Sequence, residues 1–300
     1  MRIPPLSKGQ TIGIVVPARK VDHEKLLEGI RIIESWGLKV ELGKYCFEKD
    51  SSYLAASDAD RLSDFQSMLD SPSIDAIFCA RGGYGTTRIL DQLDFNAFVK
   101  HPKWILGFSD ITALHLKLHQ LGVPSIHGCM PTQFSNPDYA VSLESLKKLL
   151  FSDQPIEVSS SFSNYNKMGE ATGIIIGGNL SLVVDALGTS TAPDTVDKIL
   201  VLEEVDEQLY KIDRMFTQLK RAGKLSQLAG LVIGHMTDLK DTDLPFNQTI
   251  EELILDKVSE HKYPVGFDFP IGHEAPNFPW RHSSSSRLII TSGHSKLIVE

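Results

Sequence analysis

Trp104-Ile105-Leu106-Gly107-Phe108-Ser109-Asp110-Ile111-Thr112-Ala113-Leu114-His115-Leu116 reads as strand, tight turn and helix in immediate succession. Gly107 lets the backbone turn sharply, so that Ser109 falls at the carboxyl end of a strand with the amide of Asp110 at a helix start. An α/β enzyme places an attacking serine in such a position. A plainer reading stands beside it. Ser109 or Asp110 serves equally well as a helix cap, and the pattern lacks the second glycine of the G-x-S-x-G elbow.

Working outward from this turn, the chain alternates short apolar, β-branched runs with segments of helical spacing. Strands are predicted over 11–16, 38–42, 74–79 and 123–126 on either side of the one at Trp104, and helices over 22–36, 59–69, 87–93 and 111–121. Such alternation gives a doubly wound parallel-sheet α/β N-terminal domain over 1–135, whose ligands lie at the carboxyl ends of the strands. The turn Ala80-Arg81-Gly82-Gly83-Tyr84-Gly85-Thr86 ends the strand at 74–79. It therefore shares one cleft with Ser109. The texture changes at 136–169, where a helix over 142–151 is followed by the aperiodic Ser159-Ser160-Ser161-Phe162-Ser163-Asn164, and a linker is expected there. Beyond it, strands over 171–176, 199–202, 228–233 and 288–290 and helices over 180–187, 210–222 and 249–258 make a second, smaller α/β C-terminal domain over 170–300.

The net charge of −8, with no Lys/Arg cluster, argues against nucleic acid as a partner, because phosphate binding needs a basic surface. The opening Met1-Arg2-Ile3-Pro4-Pro5-Leu6 has no apolar signal core, and no stretch approaches the roughly 20 apolar residues of a membrane span, so a cytoplasmic chain with no membrane partner is expected. Cys46, Cys79 and Cys129 are widely spaced without a C-x-x-C and read as buried thiols; a catalytic Cys129 beside His127 is the lesser alternative.

The glycines at 82, 83 and 85 do not match a phosphate loop. They do allow backbone to approach a ligand with its amides exposed, and one such amide with that of Asp110 would make an oxyanion hole beside Ser109. A base for the serine must come from the histidines. His115 and His119 have the i, i+4 spacing of a zinc pair but no third ligand, and read as one packed helix face. His235 and His273 each follow Ile-Gly, and His273 lies in a loop rich in proline and glycine, where functional residues are often held. The run Ile199-Leu200-Val201-Leu202 ends in Glu203-Glu204. A buried strand ending in paired carboxylates needs a partner for them, unless both face solvent at the next helix start. Periodicity leaves both readings open.

Taken together these stretches resemble the LD-carboxypeptidases, the serine peptidase family that includes murein tetrapeptide carboxypeptidases and microcin-immunity peptidases. The resemblance runs nearly end to end and rests on Ala80-Arg81-Gly82-Gly83-Tyr84-Gly85, Gly107-Phe108-Ser109-Asp110, His127-Gly128, Gly177-Gly178-Asn179-Leu180-Ser181, Leu202-Glu203-Glu204-Val205 with Tyr210-Lys211-Ile212-Asp213-Arg214-Met215, and Pro270-Ile271-Gly272-His273. It implies a triad in which Ser109 attacks, His273 carries the proton and Glu203 orients the imidazole, with the amides of Gly83 and Asp110 as oxyanion donors. Arg81 is the candidate for the substrate carboxylate, with a structural ion pair as its alternative. The implied reaction is hydrolysis of the LD bond to a terminal D-alanine in cytoplasmic murein tetrapeptides during cell-wall recycling. The implied protein uses no cofactor or metal and forms a homodimer. Two alternatives are an immunity-type peptidase acting on peptidyl or aminoacyl nucleotides and, in another class, a non-catalytic peptide-binding protein. The chain departs from the family pattern at His127-Gly128-Cys129-Met130, where many relatives have proline in third place, and at Pro279-Trp280-Arg281-His282-Ser283, where a proline-glycine turn is expected.

Overall fold

The β-branched run at the start of the chain becomes β1 (Thr11–Val15), and Asp22 starts α1 (His23–Ser35) by accepting hydrogen bonds from the amides of Glu24 and Lys25. The computed structural model describes residues 1–48 and 53–300. The chain divides into two units, Met1–Gln154 with Phe278–Trp280, and Pro155–Asn277 with Arg281–Glu300.

In the first unit β2 (Lys39–Leu42), α2 (Asp58–Asp70) and β3 (Ala76–Cys79) follow. The helix expected over 87–93 is only the short α3 (Thr87–Leu90), after which α4 (Asn96–Lys100), β4 (Trp104–Gly107), α5 (Thr112–Gln120) and β5 (Ser125–His127) complete the alternation. The strands lie in the order β2-β1-β3-β4-β5 and all pair in parallel. The order reverses between β1 and β3, and a crevice for ligands opens at such a switch point, outside the carboxyl ends of the strands. The glycine turn after β3 and Ser109 after β4 both stand at those ends. Apolar residues bury the sheet on both faces: Ile12, Ile14, Ile77, Phe78, Ile105 and Leu106 are fully enclosed.

The segment 136–169 is not the expected linker. Its first part forms α6 (Ala140–Phe151) in the first unit, and its second part forms β6 (Ile156–Ser160) and opens β7 (Gly169–Asn179) in the second. The serines hide a strand whose burial alternates along Ile156-Glu157-Val158-Ser159-Ser160, and Ser160 satisfies its buried hydroxyl by donating to Phe267 O at 2.8 Å. Then come α7 (Leu180–Asp185), β8 (Lys198–Val205), α8 (Leu209–Arg221), β9 (Gly230–Thr237), α9 (Ile250–Val258), β10 (Val265–Gly266), β11 (Trp280–His282), β12 (Ser285–Ile290) and β13 (Ser295–Val299).

The second sheet runs β10-β9-β8-β7-β12-β13-β6. It is parallel from β10 to β7 and antiparallel from β7 to β6. The two halves have different sequence textures for a physical reason. β8 is covered on both faces and reads as continuous apolar residues, whereas β12 and β13 are half exposed and alternate. At the far side of the chain Trp280, the first residue of β11, belongs to the first unit, where β11 lies beside β5.

Candidate active site

Ser109 opens a 3-10 turn (Ser109–Ile111) directly after β4 and holds φ at 63°. This left-handed backbone costs a residue with a Cβ about 1–2 kcal/mol, so the surrounding packing must impose it. Gly107 supplies one condition. A Cβ there would lie 2.7 Å from both γ carbons of Ile111, so the glycine makes room for the isoleucine that stands where the elbow motif has its second glycine. The Gly107 carbonyl is fixed in turn by hydrogen bonds from Gly128 N at 3.2 Å and from His115 Nε2 at 2.9 Å.

The glycine turn packs against this serine. A Cβ on Gly82 would sit 3.1 Å from Ser109 Cβ and 3.3 Å from its Oγ. Gly83 and Gly85 have φ of 108° and 142°, conformations that a side chain would strain. The turn is clamped by two buried charged groups that sequence reading did not single out for this task. The Asp110 carboxylate accepts from Thr86 N at 2.8 Å, and the Arg61 guanidinium, brought by α2, donates to Gly85 O at 2.9 Å and also to Pro17 O. Burial raises the affinity of Asp110 for a proton, and its hydrogen bonds from Thr86 and Gly85 oppose that shift. Arg61 is enclosed but not uncompensated, since Asp58 pairs with it from the preceding helical turn. Arg81 precedes the glycines and donates from Nη1 to Lys20 O at 3.2 Å.

In the second unit His273 Nδ1 lies 2.7 Å from Glu203 Oε2. The Glu203 side chain is wholly buried, and its Oε1 has no hydrogen-bond partner among the described residues. A carboxylate so enclosed draws strongly on the imidazole it does touch. Burial disfavours the His273 cation, but the Glu203 charge and hydrogen bond, with the Glu204 charge behind them, outweigh it and set the imidazole above its ordinary value. Gly272, at φ 132°, permits this approach, because a Cβ there would be 3.0 Å from Glu203 Oε2.

Glu204 faces elsewhere. Its Oε1 accepts from Asn179 Nδ2 at 2.9 Å and Val205 N at 3.0 Å, while its Oε2 accepts from Ser181 N at 2.8 Å and from the Ser181 hydroxyl. It thus ties the first turn of α7 to β8, and Asn179 caps that helix by accepting from Leu182 N. Of the two open readings of the acidic pair, the buried one holds: neither residue faces solvent, and each carboxylate has partners of its own. His235, the other histidine after Ile-Gly, donates its backbone amide to Ile271 O at 2.7 Å and steadies the loop that carries His273.

His115 is a packed residue, as its spacing suggested. Its Nε2–H donates to Gly107 O, its Nδ1 accepts from Ser125 Oγ at 2.8 Å, and burial lowers its pKa to about 4. All the cysteines are buried free thiols, and burial pushes Cys129 up to about 12, far from a thiolate nucleophile. The two departures from the family pattern meet within the first unit. His127 stacks on Trp280 with ring centroids 5.0 Å apart, and a Cβ on Gly128 would touch Pro279 at 3.0 Å.

Residues 12–128 match the LD-carboxypeptidase N-terminal domain and residues 172–288 match the LD-carboxypeptidase C-terminal domain. The chain belongs to the LD-carboxypeptidase family. Similar members include a probable murein peptide carboxypeptidase of Bacillus subtilis, 36% identical over 276 residues that span 91% of this chain and 86% of that protein. The murein tetrapeptide carboxypeptidase of Pseudomonas aeruginosa is 30% identical over 291 residues, 92% of each chain. Among solved structures, the muramoyltetrapeptide carboxypeptidase of Oxalobacter formigenes superposes with a TM-score of 0.87 at 26% identity, covering 97% of this chain and 98% of that one. In this LD-carboxypeptidase chain the serine turn lies within the part matched to the N-terminal domain, and the His273–Glu203 pair within the part matched to the C-terminal domain.

Proposed function

We propose that the protein is a serine carboxypeptidase that hydrolyses the bond between the L-centre of a diaminopimelate or lysine residue and a terminal D-alanine in murein tetrapeptides. The observation that carries the reading is Ser109, held at φ 63° on a strand-to-helix turn with Gly82 against its side chain. A strained serine needs a purpose that a helix cap does not supply, because an ordinary cap has extended backbone.

In the mechanism, Ser109 Oγ attacks the scissile carbonyl while His273 Nε2 takes its proton. The oxyanion that forms accepts hydrogen bonds from the amides of Gly83 and Asp110. Collapse expels D-alanine, whose nitrogen receives the proton from His273, and leaves an acyl-serine ester. Water, deprotonated by the same imidazole, then releases the tripeptide. Glu203 holds Nδ1–H and stabilises the imidazolium in each half-reaction. Arg81 supplies a cation for a substrate carboxylate. No metal or organic cofactor enters any step.

Cell-wall recycling in the cytoplasm, by a homodimer, is the setting that fits this substrate. Among the described residues no helix is long and apolar enough to cross a membrane. The deciding experiment is mass spectrometry of a tetrapeptide ending in D-alanine and of its L-alanine epimer after incubation with the protein. Release from the D form alone is expected; release from neither overturns the reading.

A further inference from the structure

Arg19 and Arg81 stand together at the lip of the glycine turn. Arg19 follows β1 and donates its amide to Gly82 O at 3.4 Å. Its side chain lies along Gly83, where an added Cβ would be 2.7 Å from Arg19 Cβ and 3.3 Å from its Cδ. Its guanidinium sits 5.2 Å from the centroid of the Tyr53 ring, which holds the head group in place. Arg81 is anchored to Lys20 O. Burial, and after it the Arg19 charge, lowers the hold of Arg81 on its proton.

Two neighbouring cations repel, and the described residues do little to neutralise them. Among the described residues neither forms an ion pair with a carboxylate. Asp22, an acid that bears on Arg81, is occupied by the amides of Glu24 and Lys25 at the start of α1. Like charges held side by side are relieved when an anion binds between them. Planar guanidinium forks suit a carboxylate.

The position of the pair says which carboxylate. The glycine turn links the pair to Ser109: the Gly82 carbonyl receives the Arg19 amide, Arg81 is its chain neighbour, and a Cβ on Gly82 would lie 3.3 Å from Ser109 Oγ. In a peptide, only the carboxylate of the departing residue is one residue away from the scissile carbonyl on that side. Building on the carboxypeptidase reading, we propose that Arg19 joins Arg81 in gripping the terminal carboxylate of the departing residue, and that this grip confines the enzyme to the last bond of the chain.

The test is calorimetric binding, in the Ser109→Ala background, of a tetrapeptide ending in D-alanine and of the same peptide ending in D-alaninamide. The free acid should bind at least about tenfold more tightly than the amide, the size of a charge-assisted contact. Adding Arg19→Gln should weaken the free acid about tenfold and the amide far less, and adding Arg81→Gln as well should abolish the preference. A preference for the free acid that survives both substitutions, or an equal weakening of both ligands, overturns the proposal. Turnover of the tetrapeptide by the unmodified protein is measured in parallel. If turnover is present and the preference is unaffected, the subsite alone fails; if neither peptide binds and neither is cleaved, the peptidase reading fails with it.

Discussion

At Ser109 the proposed role of the hydroxyl and the cost of the backbone pull apart: on the proposed mechanism the hydroxyl attacks, while φ of 63° opposes stability. Ser109→Ala and Ser109→Gly should both lose at least about a thousandfold in kcat/KM, as expected for a missing nucleophile. They should differ in stability. Glycine accepts φ of 63° freely, so Ser109→Gly should melt higher than Ser109→Ala, by about 1 kcal/mol in free energy. Equal melting curves would show that the turn is not strained. His273 gives the pH prediction. On the proposed mechanism this base must be neutral to accept a proton, and its partners set it above the ordinary imidazole value of about 6.5, so kcat/KM should rise with pH through an apparent pKa above that value. The same shift stabilises the fold at low pH and is lost as pH rises through the folded-state value. Glu203→Gln removes the charge that raises it. Its acid limb should move to lower pH while kcat falls by several orders of magnitude, and an unmoved limb would place the orienting group elsewhere.

At the scale of elements, the end of β8 assigns adjacent acids to different work. Among the described residues every hydrogen bond accepted by Glu204 comes from a donor on Asn179, Ser181 or Val205, so the amide nitrogen of a glutamine would face donors with a donor of its own. Glu204→Gln should therefore destabilise the fold by about 1–3 kcal/mol in chemical denaturation, with a far smaller loss of kcat than Glu203→Gln. The reverse order of effects would exchange their roles. The clamp on the glycine turn makes a companion prediction: Asp110→Asn should lower kcat about tenfold to a hundredfold with little change in KM, because it loosens the amides that the proposed mechanism uses in the transition state. A rise in KM alone would show that the clamp serves binding instead. Much of this layout was legible beforehand. The parallel strands around Ser109 are continuous apolar runs, and continuous runs survive the loss of all context. β6, β10, β11 and β13 were not read as strands, since Ser159 and Ser160 mask one alternation and β10 has only two residues, Val265 and Gly266. Strand periodicity could not divide Glu203 from Glu204, and only the family resemblance singled out Glu203. Their division depends on which helix start and which loop lie opposite each face, and neither is written in the strand itself.

For the whole molecule, family membership follows from matches across both halves, but the first unit is not contiguous in sequence. It runs to Gln154 and then takes Phe278–Trp280 from the end of the chain, where Trp280 covers the ring of His127 and Pro279 meets Gly128. A fragment ending at residue 154 should consequently melt at a lower temperature than a fragment of the same length supplied with a peptide spanning 276–284; equal melting temperatures would show that the late segment is dispensable. This topology also bears on birth order at the ribosome. The first unit begins to form early in synthesis but cannot receive its last aromatic side chain until the ribosome has finished more than a hundred further residues, so a chain truncated by a premature stop carries Ser109 on an incomplete support.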